Sequence, residues 1–215
     1  MKTGMIITMP RHDQVTEYLS QFSAEIIEEA DSKGISVRRL EDSEANSESF
    51  EKAVKKLDYN FLFFNGHGSS TEIMGHKTWI IMLGKNESLL HDRITYARSC
   101  DAGRTLGFKI IQDSQRACFI GYNKPFQFYT DDNWSSTPLK DNKARLFLEP
   151  SNIIPISILK GNSAIVACDK SKKAFMKNIH KLLKERTEGA YLLAGALWNN
   201  YTAQVILGNN KARMI

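Results

Sequence analysis

Apolar residues along this chain recur with two periods, and the switches between them mark alternating strands and helices. Residues 4–9 form a short continuous apolar run, the pattern of a strand buried on both faces. Over residues 13–32, Val15, Tyr18, Leu19, Phe22, Ile26 and Ile27 recur every three or four positions, which predicts one helix ended by Gly34. Residues 35–40 alternate as a strand, 47–57 place Phe50, Val54 and Leu57 on one helical side, and 59–64 return to strand. Strands separated by helices of this length imply right-handed crossovers and a parallel sheet covered on both faces.

Further along, 79–83 reads as a short strand, 93–99 as a clearer one, 103–111 as a helix and 117–121 as a fifth buried strand. Residues 123–151 change character: Pro125, Pro138 and Pro150 sit among Asp131, Asp132, Asn133, Ser135, Ser136 and Thr137, the composition of a long loop or insertion. A loop that long is expected to move easily and to serve substrate recognition or activation, with Trp134 as a contact residue. Helices are then expected over 152–159, 163–185 and 190–200, and a last strand over 203–207. With no internal repeat and no Gly/Ser linker, residues 1–215 read as a single α/β domain, a three-layer sandwich of a mostly parallel sheet flanked by helices.

Composition narrows the function classes. The 215 residues are 42% hydrophobic and 25% charged, with a mean hydropathy of -0.36, which excludes disordered, collagenous and membrane-spanning classes. The apolar run before Pro10 is too short for a leader or a membrane helix, so a cytoplasmic protein without membrane association is expected. A net charge of +5 permits nucleic-acid binding without demanding it, and direct binding of nucleic acid is not expected. The basic helix face of Lys170, Lys172, Lys173, Lys177, Lys181 and Lys184 reads as solvated surface. Cys100, Cys118 and Cys168 are odd in number and fit reduced thiols, the last two inert within apolar runs.

Two segments share one design, an apolar strand ending in a reactive side chain among small residues. Phe61–Phe64 runs into Asn65, Gly66, His67, Gly68, Ser69 and Ser70; Ile94–Ala97 runs into Arg98, Ser99, Cys100, Asp101, Ala102 and Gly103. Ligands of an open parallel sheet bind beyond the carboxyl ends of its strands, and neighbouring strands lie about 4.8 Å apart, so His67 and Cys100 are expected to face one crevice. A free thiol is only slightly ionised at neutral pH, and an imidazole beside it supplies the base. Gly66 and Gly68 are expected to permit positive φ, the amides of Gly68 and Cys100 to point at a developing oxyanion, and a helix starting near Gly103 to stabilise the thiolate.

This pair, apolar strand then His-Gly and apolar strand then Cys, resembles the caspase-fold cysteine peptidases (clan CD). Within them the bacterial CHAT-type domains are most similar: Ser99-Cys100-Asp101-Ala102-Gly103 resembles their Ser-Ala-Cys-Glu-Ser block, Ile158 to Ser163 with Ala167 their later helix signature, and Ile206-Leu207-Gly208-Asn209 their Gly-Asp-Pro ending. The resemblance implies a caspase-like sandwich, Cys100 as nucleophile, His67 as proton carrier, the Gly68 and Cys100 amides as oxyanion hole, and no metal or cofactor. The 33 residues from His67 to Cys100 are fewer than the roughly 50 of caspases, so the intervening helix is expected to shrink to a turn near residues 87–91. The caspase Gln-Ala-Cys block is absent.

By the same resemblance Arg98, two residues before Cys100, lines the pocket for the substrate residue before the cut and favours an acidic or polar side chain. Pairing of Arg98 with Asp101 or Asp92 is the alternative, as is a role for Asp101 with a basic substrate residue. His67, His76, His91 and Cys100 offer metal-ligand types without the close spacing of zinc sites, and Gly66 to Ser70 lacks the Lys-Ser/Thr ending of a phosphate loop. The implied function is a cysteine endopeptidase acting on specific protein substrates, with a regulatory protein partner, as in a bacterial stress or phage-defence (antiviral) effector. The alternative is a catalytically silent caspase-like interaction module in a larger assembly.

Overall fold

A computed structural model describes residues 1–214. Its element order is β1 (Lys2–Met9), α1 (Gln14–Gln21), α2 (Ala24–Ser32), β2 (Val37–Glu41), α3 (Ser47–Leu57), β3 (Tyr59–Asn65), β4 (Glu72–Met74), β5 (Trp79–Met82), β6 (Ile94–Arg98), α4 (Thr105–Asp113), β7 (Cys118–Tyr122), α5 (Asn142–Leu159), α6 (Ala164–Glu185), α7 (Ala190–Ala203) and β8 (Gln204–Gly208). Six strands form one sheet in the order β2-β1-β3-β6-β7-β8, while β4 and β5 form a separate hairpin. The first five strands of that order pair in parallel; β8 runs antiparallel to β7.

Because side chains alternate across a strand, each central strand feeds two cores. Phe61 and Phe63 join Met5, Ile7, Tyr96 and Ile120 under α2, α5 and α6. Leu62 and Phe64 join Ile6, Ala97 and Phe119 under α3, α4 and the β4–β5 hairpin. The result is a three-layer α/β sandwich. Among the described residues no helix is long and apolar enough to cross a membrane.

Two expectations need correction. The single helix over 13–32 is two helices, broken at Phe22–Ser23. The break falls where buried Arg98 donates to Ser23 Oγ (3.2 Å) and to the Leu19 carbonyl (2.9 Å), the acceptor an unbroken helix would offer the Ser23 amide, which bonds the Ser20 carbonyl instead. The loop over 123–151 ends early, because α5 begins at Asn142. Asp141 caps it, accepting from the Lys143 and Ala144 amides. Pro150 removes the donor that would have bonded the Leu146 carbonyl, and Asn178 Nδ2 donates to that oxygen instead, at 2.8 Å. A proline read from sequence as a loop marker is thus housed inside a helix.

The remaining loop is pinned rather than free. Asn200 exchanges hydrogen bonds with both the amide and the carbonyl of Gln127, and Phe126 and Phe128 pack into the cores. Trp134 ends a short 3-10 turn and is partly exposed. The connector before β6 is also a 3-10 turn, Glu87–Leu90, in line with the shortening expected there.

Candidate active site

The β3–β6 register pairs Asn65 with Arg98, and two residues beyond each partner stand His67 and Cys100. This places both at the carboxyl edge of adjacent central strands. The register is fixed by side chains as well as by the ladder. Arg98 Nε and Nη2 donate to Asn65 Oδ1 at 2.9 and 2.7 Å, and Asn65 Nδ2 donates to the Thr8 carbonyl of β1 at 2.9 Å.

Arg98 therefore does not line a substrate pocket. It is fully buried, and Nη1 donates to Ser151 Oγ (3.0 Å) and Asn152 Oδ1 (2.6 Å) of α5. Its guanidinium carbon lies 5.4 Å from the Phe63 ring centre. Neither Asp101 nor Asp92 is among its partners: Asp101 lies 3.7 Å from Arg104 and Asp92 pairs with Arg116. Alternation along β6 placed Arg98 and Cys100 on one side, but Cys100 lies past the strand end, where alternation no longer applies. The exposed guanidinium beside the Cys100 loop is that of Arg104. With Leu83, Thr105, Phe108, Lys109 and Asn123 it lines a cleft of about 510 Å³. A cleft of similar size lies on α6 and α7.

Sequence reasoning missed Asp13. Its Oδ2 lies 2.7 Å from His67 Nε2, and its Oδ1 accepts from the Thr16 amide and hydroxyl, both at 2.8 Å. Asp13 is the N-cap of α1, in a capping box with Thr16. Partial burial works to raise its pKa, but the bonds from Thr16 and His67 outweigh it and hold the carboxyl down at about 2. The one available signal was an Asp three residues before a Thr at a helix start. Nothing local linked it to a histidine 54 residues away.

Gly68 sits opposite Ile73 in an isolated antiparallel bridge. The flanking bonds run from Ser69 N–H to the Glu72 carbonyl (3.0 Å) and from Met74 N–H to the His67 carbonyl (2.9 Å), so Gly68 is the non-bonded residue of the pair and its N–H points away from the hairpin. Among the described residues neither the Gly68 nor the Cys100 amide has a backbone acceptor. Gly66 has the expected positive φ, 147°. At Gly68 the reason for glycine is space: a Cβ would lie 2.9 Å from Ser99 Cβ and 3.0 Å from the Cys100 carbonyl oxygen.

Cys100 is partly buried. Burial pushes its thiol pKa up, an effect the Phe126 amide partly offsets and Asp101 reinforces. The expected helix-stabilised thiolate is therefore absent, since α4 starts only at Thr105 and Asp101, at φ 57°, turns the chain between them. Cys118 and Cys168 are buried, and burial raises both thiols to about 12.

The sequence-level metal set is not assembled as such. His91 precedes β6, so it lies at the opposite end of the sheet from His67. Instead His12 stands beside the site, its ring 5.9 Å from that of His67 and 5.3 Å from that of His76. Burial lowers the His12 pKa against the pull of Asp13, and the other two histidines lower it further. No protein-family model matches the chain, and no curated protein does.

Proposed function

We propose that the protein is a caspase-like cysteine endopeptidase in which Asp13, His67 and Cys100 act in relay. The observation that carries this reading is the 2.7 Å contact between Asp13 Oδ2 and His67 Nε2, at a strand end in register with the one that delivers Cys100. A carboxylate on Nε2 holds the ring proton there and leaves the Nδ1 lone pair for the thiol. The raised thiol pKa means that the resting sulfur keeps its proton and needs that base.

The steps follow from the groups. Cys100 Sγ bonds the substrate carbonyl carbon as its proton passes to His67 Nδ1, and the Gly68 and Cys100 amides hold the oxyanion. His67 returns the proton to the amine nitrogen as the C–N bond breaks, leaving a thioester. Water then attacks the thioester, giving a proton to His67, and the thiol reforms as the carboxylate product leaves. Asp13 stabilises the imidazolium present in each step. The open cleft by Arg104 and Phe108 gives the substrate chain a polar and an apolar surface. Selective cleavage of a protein substrate, under a regulatory partner, fits a bacterial stress or phage-defence effector.

Incubating wild type and Cys100→Ala with a diverse peptide mixture, with and without candidate partner proteins, and reading cuts by mass spectrometry tests this function. Cuts absent from Cys100→Ala are expected. No cuts under any condition, together with a Cys100 unreactive to thiol-directed peptide probes, would leave the silent interaction module as the reading.

A further inference from the structure

Asp13 Oδ2 faces a second imidazole besides that of His67. His12 Nε2 lies 3.5 Å from it, and one ligand atom from each of His12, Asp13 and His67 falls within 4.8 Å of the other two. Ligands on a tetrahedral zinc ion, at bond lengths of about 2.0–2.1 Å, stand about 3.3 Å apart. The separations of the two imidazole nitrogens from Asp13 Oδ2, 2.7 and 3.5 Å, bracket that value. The carboxylate is already oriented as metal-bound carboxylates are, because its other oxygen is held by Thr16. A mixed imidazole and carboxylate set suits zinc-like first-row ions rather than calcium or magnesium, which take oxygen ligands.

We propose that His12, Asp13 and His67 form a binding site for a divalent zinc-like ion, and that occupancy of this site switches the peptidase off. The switching part rests on the function proposed above; the site itself does not. Its mechanism is a change of tautomer. In the metal-free mechanism proposed above, the single proton of neutral His67 sits on Nε2 against Asp13, and Nδ1 is the nitrogen assigned to the Cys100 thiol. A metal on Nε2 takes the lone pair of that nitrogen and displaces its proton, so the neutral ring carries its proton on Nδ1. The nitrogen assigned to the thiol then has no lone pair to accept with. The ion needs no contact with Cys100, which separates this site from simple capture of a thiol and imidazole pair.

Calorimetric titration of the chelator-stripped full chain with zinc alone tests the site, with magnesium and calcium as controls and cobalt(II) absorption as a report on coordination. One zinc per chain is expected in wild type and Cys100→Ala alike, with affinity reduced more than about 100-fold in His12→Gln and, as a second variant, His67→Gln. Undiminished binding in both histidine variants, or loss of binding in Cys100→Ala, overturns the site. Thermal unfolding of the metal-free variants establishes that they are folded. In the activity arm, zinc inhibits wild-type peptide cleavage along the same saturation curve, chelator restores it, and His12→Gln keeps its activity at zinc concentrations that silence wild type. Cleavage that persists at full occupancy overturns the switch. Zinc binding to a chain that never cuts peptides would refute the peptidase reading and the switch while upholding the site.

Discussion

Replacing Asp13 gives an inverted order of effects that follows from how its two oxygens are used. Oδ1 is committed to the Thr16 amide and hydroxyl, and Oδ2 to His67. In Asp13→Asn the side-chain oxygen must stay on Thr16 to cap α1, which turns the amide NH2 toward His67 Nε2. That group donates, so the imidazole is forced into the tautomer with its proton on Nδ1, and the base is lost. Restoring the working tautomer means flipping the amide and giving up the cap, at about 1–2 kcal/mol. The charge-assisted bond to the imidazolium is lost in addition. It is worth about 1 kcal/mol for a pair this exposed, at 45% and 39%. Together these reach about 2–3 kcal/mol, a fall in kcat/KM of roughly 30- to 150-fold. Asp13→Ala has no donor to impose the wrong tautomer and loses only the second contribution, about 5-fold. Stability runs the other way, since asparagine keeps the cap and alanine forfeits about 1 kcal/mol. Steady-state cleavage beside urea denaturation reads both scales. Asp13→Asn cleaving as well as Asp13→Ala would refute the assignment of the two oxygens.

Gly68→Ala must push its new carbon against Ser99 and the Cys100 carbonyl, so it is expected to lower kcat far more than it raises KM, at a stability cost of about 1–3 kcal/mol; unchanged kcat would show that this amide holds no oxyanion. Arg98→Met leaves the side-chain acceptors of Asn65 and Asn152 buried without donors and is expected to cost at least about 3 kcal/mol in chemical denaturation; an unchanged midpoint would refute the lock. Brief alkylation of the native protein in mildly alkaline buffer is expected to label Cys100 alone, since burial holds Cys118 and Cys168 at about 12; peptide mapping reads the sites. Asp13 is held below its ordinary 3.8, at about 2, so its contribution is complete above about pH 4 and is lost as pH falls through 2. Exposure limits it to about 1 kcal/mol, and acid titration of Asp13→Ala should show that part of the pH dependence missing.

Element boundaries were readable wherever a side chain's environment follows from its neighbours in sequence. The continuous apolar run Phe61–Phe64 placed β3, the recurrence of Phe50, Val54 and Leu57 placed α3, and the small residues after each apolar strand placed His67 and Cys100. What failed depended on distant partners. Pro150 reads as a loop residue because Asn178, which bonds the carbonyl it leaves open, is 28 positions away in another helix. The environment of Arg98 is supplied by α1, the α1–α2 junction, β3 and α5, and none of it is visible from the residues beside it. Asp13 became the partner of His67 only once β1 and β3 lay side by side. The three-residue β4 was missed because so short a run carries no measurable period.

The buried guanidinium also imposes an order of assembly during synthesis. His67 and Cys100 leave the ribosome well before α5, yet Nη1 of Arg98 finds its acceptors only in Ser151 and Asn152. A nascent or truncated chain ending short of them leaves Nη1 of the guanidinium without a partner beneath the strand ends that carry His67 and Cys100. Under the proposed function, full competence for cleavage would then arrive only with the second half of the chain.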